Sequence, residues 1–215
     1  MKKIYFLVLL VISTIYAVAQ NNAGCPNANL SSGTFTNWQG YTGNYANPAS
    51  AFGIVNGRHT IISTQGIDPN TCGGLQMIPP GSTSSARLGN SATGAQGEQL
   101  RYTMNVTAQN SLFIYKYACV LQDPGHTPSQ QPVFQMRLLN QAGNQINGNC
   151  GIYNVYAGQP GQNFQQCGSR TWLPWTTVGL DLTPYMGQSI QIEFTTWDCA
   201  QGAHFGYAYL AAECL

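Results

Sequence analysis

Ser189-Ile190-Gln191-Ile192-Glu193-Phe194-Thr195-Thr196-Trp197 is the stretch that decides the fold. Ile190, Ile192 and Phe194 fall on one face and Gln191, Glu193 and Thr195 on the other, which is the period of two of a strand with one wet side. Leu100, Tyr102, Met104 and Val106 alternate with Arg101, Thr103, Asn105 and Thr107 in the same way. Residues 112–121 are apolar on both sides apart from Lys116, as a central strand should be. Residues 133–139, 152–156, 172–182 and 204–214 continue the strand pattern, separated by Gly/Pro/Asn turns such as Pro79-Pro80-Gly81 and Asp123-Pro124-Gly125. No helical apolar stripe develops. About ten strands with no linker between them predict one antiparallel β-sandwich over residues 51–215. Residues 20–50, rich in Asn, Gly and Ser, read as an extended segment packing on the sandwich through Phe35, Trp38, Tyr41 and Tyr45.

Only 7% of the 215 residues are charged, and eight Lys+Arg against seven Asp+Glu leave a formal net charge of +1. No basic stripe exists for a duplex, and no acidic run for a solvated tail, so nucleic acid is excluded as a partner. Thr, Gln, Asn and Ser line the polar strand faces, a surface solvated through uncharged hydrogen bonds.

Met1, Lys2 and Lys3 precede an apolar run from Ile4 to Ile12, and Ala17-Val18-Ala19 supplies a small-x-small cleavage pattern. Residues 1–19 are therefore expected to be a signal peptide, since the apolar run is too short to cross a bilayer. This predicts a secreted chain, extracellular or at the outer cell surface, without a transmembrane anchor. In that compartment cysteines pair by default. Seven are present: Cys25, Cys72, Cys119, Cys150, Cys167, Cys199 and Cys214. Cys150 and Cys167, flanking a polar excursion, are the expected pair. The odd count leaves one cysteine free, buried as a small hydrophobe, joined to another molecule through an intermolecular disulfide, or paired with a segment missing from this chain.

Arg87-Leu88-Gly89-Asn90, Glu98-Gln99-Leu100-Arg101-Tyr102, Gln122-Asp123-Pro124-Gly125-His126, Trp175-Thr176-Thr177-Val178-Gly179-Leu180-Asp181-Leu182, Tyr185-Met186-Gly187-Gln188 and His204-Phe205-Gly206-Tyr207 stand in this order. Over residues 54–214 the chain resembles a jelly-roll domain of large secreted Bacteroidota proteins that carry PKD modules and type IX secretion sorting domains. It is similar, at a greater distance, to MAM and galactose-binding-like domains. The resemblance implies a jelly roll and a cell-surface role, and no activity.

Trp38, Tyr41, Trp172, Trp175 and Trp197 are the candidate ligand-binding residues, because aromatics beside amides and hydroxyls suit the two faces of a sugar. Each competes with a core role; Trp197 shares the Gln191, Glu193 and Thr195 face. Asp68, Glu98 and Glu213 are the candidates for a structural calcium site. Zinc on His126, His204 and Asp123 or Asp198 has no ligand spacing behind it, and both histidines are expected to hydrogen-bond to loops. No G-x-S-x-G and no paired-carboxylate strand motif occurs, so no enzyme is expected. The reading is a non-catalytic binding or adhesion module for a glycan, with a spacer or protein-binding module as the alternative.

Overall fold

The computed structural model describes residues 24–215, and the expected signal peptide over residues 1–19 lies outside them. Among the described residues twelve strands form two six-stranded sheets, with every strand pairing antiparallel. The first sheet, sheet A, has the order β2 (Asn47–Phe52), β1 (Trp38–Asn44), β5 (Gln96–Asn105), β11 (Ser189–Trp197), β7 (Val133–Asn140), β8 (Ile152–Tyr156). Sheet B has the order β3 (His59–Ile62), β4 (Ser85–Leu88), β12 (Gly206–Cys214), β6 (Leu112–Gln122), β10 (Arg170–Asp181), β9 (Gln165–Cys167). Within these, β4-β12-β6-β10 facing β5-β11-β7-β8 is the jelly-roll order, in which the chain passes from one sheet to the other at each step among these eight strands except β7 to β8. The expected all-β sandwich with a jelly-roll topology is the fold.

Inward side chains of both sheets make one core. Phe194 of β11 meets Tyr115 of β6 edge to face at 5.1 Å and stacks near Phe134 of β7 at 6.3 Å. Tyr117 stacks on Phe134 at 4.8 Å, and Trp38 lies 5.0 Å from Tyr102. Such ring pairs add about 0.5–1.5 kcal/mol each beyond area burial.

The segment before residue 51 is more than a lead-in. Residues 38–52 supply β1 and β2, and β1 pairs along its whole length with β5. Their strand character is masked because the inward positions of β1 are Trp38, Gly40 and Thr42, with a single large apolar side chain among them.

A second, smaller core lies outside sheet B. Leu75 and Met77 of the β3–β4 connection pack on Val120, Trp172, Phe205, Tyr207 and Tyr209. A Cβ on Gly74 would collide with the Trp172 ring, so only glycine lets the connection pass so closely. Asp68 anchors it: its buried carboxylate accepts from Tyr207 at 2.8 Å, Tyr209 at 2.6 Å and the Asn70 N–H at 2.7 Å. Burial and the neighbouring Asp68 push both tyrosine hydroxyls far above their ordinary pKa.

The disulfides differ from the expected pair. Cys72 bonds Cys167, stapling the connection to the sheet B edge, and Cys25 bonds Cys214, tying the start of the described chain to the end of β12. Cys150 does not pair with Cys167: it stands exposed in the turn before β8 of sheet A, whereas Cys167 belongs to sheet B. Cys119 and Cys199 are free and buried. Peptide mapping of the unreduced protein should return Cys25–Cys214 and Cys72–Cys167, with Cys150 alkylated in the native state and Cys119 only after unfolding. Replacing Cys72 and Cys167 by Ala should cost about 2–5 kcal/mol in urea denaturation. A Cys150-containing intramolecular disulfide would contradict this pairing.

Candidate functional site

The β3–β4 connection covers part of the outside of sheet B, and the outer face of sheet A is polar, open at its β2 and β8 ends and buried at its centre, where Gln99 is 2% and Thr195 1% exposed. Its side chains follow from register. One row runs Phe52, Tyr41, Gln99, Thr195, Gln135, Asn154 across all six strands. The next runs Gln39, Arg101, Glu193, Arg137, Ile152, and the row on the other side contains Gly43, Gly97, Trp197, Val133 and Tyr156. Five strand spacings make the first row about 24 Å long.

Glu193 organises the centre. It lies on the outer face yet is 0% exposed, because two arginines cover it. Arg101 donates to Oε2 from Nη2 at 2.7 Å and Nε at 3.2 Å; Arg137 donates to Oε1 from Nε at 2.7 Å and again from Nη2. A carboxylate with both oxygens so held is a positioning element. The Arg101 guanidinium lies 4.9 Å from the Tyr41 ring centroid, and Tyr41 meets Phe52 at 5.3 Å. Around this cluster the amides order one another: Gln135 donates to Asn154 at 2.8 Å and Gln99 to Thr195 at 3.3 Å.

At the β7–β8 side the face deepens into a cavity of about 390 Å³, lined by Tyr45, Pro128, Val133, Gln135, Tyr156 and Trp197 among others. That is within the size of small-ligand sites. Tyr45 closes one wall by donating its hydroxyl to the Ser129 carbonyl. A larger cavity of about 550 Å³ opens beside Gly24 and Pro26, lined also by Asn37, Thr103, Asn105 and Asn110.

The aromatic candidates divide. Trp197 and Tyr41 stand on this face, half-buried, about two strands apart. Trp38 is buried in the main core with Nε1 donating to Asn27 O at 3.0 Å, and Trp172 is buried in the second core. Trp175 also belongs to sheet B, donating to Gln76 O at 2.7 Å and packing on Tyr209. Tyr45, Tyr156, Gln135, Asn154, Arg101 and Arg137 do not stand out in the sequence as binding residues; the alternation of β5, β7 and β8 is the signal that places the last four on one face.

The structure does not bring Asp68, Glu98 and Glu213 together as a calcium site. Asp68 is saturated outside sheet B, Glu213 stands on β12 opposite Ile114, and Glu98 points between the sheets. There Glu98 bonds Arg58 and accepts from Thr196 Oγ1 at 3.1 Å. Asp198, nearby, accepts from the N–H groups of Gln96 at 2.8 Å and Gly206 at 3.1 Å. Asp123 accepts from Gly125 N and Gln131 Nε2, both at 2.8 Å.

No family model matches the chain, and no curated protein matches it. Among solved structures the sandwich is similar to TmCBM61 in complex with β-1,4-galactotriose, with a TM-score of 0.45 and 6% identity over 89% of this chain and 98% of that one. It is similar to CBM27-1 of Caldicellulosiruptor saccharolyticus in complex with mannohexaose, with a TM-score of 0.43 and 10% identity over 86% and 93% of the two chains. It is also similar to the enzymatically active domain of tailspike protein 4 from bacteriophage CBA120, with a TM-score of 0.43 and 13% identity over 89% of this chain and 21% of that one.

Two buried acids share Arg58, and burial pushes Glu98 up to about 7 and Asp198 up to about 6. Folded values above unfolded ones mean that the fold holds extra protons between them, so this stability is present at acid pH and lost as pH rises through about 6 and 7. His59, lowered by burial, acts in the opposite sense, so the native chain is compared with a variant. The cost of Glu98→Gln in urea denaturation should shrink from about pH 5 to about pH 8. A cost that stays level or grows over this interval would show that Glu98 is ionised throughout.

Proposed function

We propose that this chain is a non-catalytic, secreted carbohydrate-binding module that takes an oligosaccharide along the outer face of sheet A. The observation that carries the reading is the cavity at the β7–β8 side, where Trp197 and Tyr156 stand beside the amides of Gln135 and Asn154, with the buried Gln99 and Thr195 between this end and Tyr41 and Phe52 at the other. Sugar rings offer apolar C–H faces to aromatic side chains and hydroxyls to amides, and this face holds both in rigid strands rather than in loops. Its length suits several rings in series. The two arginines add donors fixed by Glu193, and one carboxylate against two guanidinium groups leaves the centre positive.

Hydrolysis is not part of this reading. Glycosidases need two free carboxyl groups about 5–10 Å apart, whereas the strand alternation gives this face one acid, Glu193, with both oxygens engaged. Among the described residues no helix is long and apolar enough to cross a membrane, and two disulfides fit an oxidising compartment. The Bacteroidota resemblance, with a place at the cell surface, belongs to the same proposal. A protein-binding module is the second reading, favoured by the exposed Phe52, Ile54 and Val55 at the β2 edge.

A glycan array probed with the purified chain should show one preferred class. Trp197→Ala should weaken that binding at least about tenfold, the loss of about 1.4 kcal/mol of stacking, with an unchanged near-ultraviolet circular dichroism spectrum. Trp175→Ala, on the other sheet, should leave affinity unchanged. Binding that survives Trp197→Ala, or no glycan bound at all, would overturn the proposal.

A further inference from the structure

Three side chains that the glycan reading does not use converge beside the cavity wall. His126 comes from the β6–β7 connection, and Cys199 and His204 from the β11–β12 connection. One donor atom from each lies within 4.8 Å of the others, and no acid belongs to the group. Cys199 Sγ and His204 Nδ1 are 3.4 Å apart, and the His126 and His204 rings stand edge to face at 5.5 Å. Cys199 is buried, and the buried Nδ1 of His126 has no hydrogen-bond partner.

The backbone holds the set. The Cys199 N–H donates to the His204 carbonyl at 2.9 Å, which closes the connection as a hairpin and presents both side chains together. Gly202 supplies its turn at a φ of +74°, with its N–H donating to Cys199 O at 3.0 Å. The Ala200 N–H donates to Gln130 O at 3.1 Å and joins this hairpin to the segment carrying His126. In a tetrahedral zinc site with Zn–S near 2.3 Å and Zn–N near 2.0 Å, neighbouring donors lie about 3.3–3.6 Å apart. Cys199 Sγ and His204 Nδ1, 3.4 Å apart, already have that spacing, and all three donors lie within 4.8 Å of one another.

We propose that His126, Cys199 and His204 form a zinc(II) site, with a water or a ligand oxygen as the fourth donor. Two imidazoles and a thiolate suit zinc and exclude calcium and magnesium, which take oxygen donors. Asp123 and Asp198 offer no oxygen to this group of donors within 4.8 Å of one another. Binding converts the Cys199 thiol to thiolate and releases its proton to solvent. It also cross-links the two connections beside the wall formed by Pro128 and Ser129, adding to the hydrogen bond from Ala200 and the ring contact of His126 with His204.

The test is anaerobic titration of the purified chain, disulfides intact, with cobalt(II) as a spectroscopic probe and zinc(II) as competitor. One equivalent of cobalt should give a sulfur-to-metal charge-transfer band and intense visible bands of tetrahedral coordination, both displaced by zinc. His126→Ala should weaken zinc at least about 100-fold, since losing even an outer-shell partner costs 10–100-fold. Cys199→Ser should remove the charge-transfer band, and Cys150→Ser, at the exposed thiol, should leave it intact. His126→Ala carries the decision if the buried Cys199→Ser variant fails to fold. Zinc should also slow amide exchange over residues 123–131. No charge-transfer band, a band that follows Cys150, or zinc affinity unchanged in His126→Ala would overturn the site.

Discussion

Phe194 is the side chain on which the arrangement depends. It sits on the inner side of β11, within sheet A, and its ring contacts Tyr115 from the opposite sheet, Phe134 from the neighbouring strand and Trp38 at 6.2 Å. A strand has a period of two, so fixing Phe194 inward forces Glu193, Thr195 and Trp197 outward. A slip of one residue would bury Glu193 in the aromatic core and strand Phe194 in water, so the register of the core and that of the outer face are one choice.

The two outer faces then take different fates. Sheet B lends Tyr207, Tyr209, Trp172 and Val120 to a second core that the β3–β4 connection closes, with Asp68 and the Cys72–Cys167 disulfide as anchors. Sheet A keeps a polar outer face, buried at its centre and open towards β2 and β8. Glu193 between Arg101 and Arg137 is a poor source of net stability, because desolvation offsets much of the attraction. What the triad supplies is position. Two long, flexible side chains are held at fixed places on the sheet, with Tyr41 braced against one of them.

Period-two alternation makes the central strands legible in the amino-acid sequence. Leu100 to Val106 and Ile190 to Phe194 announce their inner faces, and the doubly apolar β6 announces its place inside a sheet. β1 and β2 are not legible, since Gly40 and Thr42 occupy inward positions where apolar residues would have signalled burial. The site is half legible. Trp197 stands out by sharing the face of Glu193, while Trp38 and Trp172 enter cores because tryptophan serves packing and recognition with the same ring. Cysteine pairing is set by contacts between distant segments, 95 residues apart for Cys72 and Cys167, which local loop lengths do not encode. The convergence of His126 with Cys199 and His204 is likewise tertiary, and only the short Cys199–His204 interval is visible along the chain.

If the outer face of sheet A is the binding surface, its backbone amides must sense the ligand directly. The decisive measurement is nuclear magnetic resonance of the isotope-labelled chain titrated with the oligosaccharide that binds best on an array. Shifts concentrated on Gln99, Gln135, Asn154, Tyr156 and Trp197, with sheet B silent, are the predicted result. Shifts centred on Trp175 and the β3–β4 connection, with sheet A unmoved, would contradict the account.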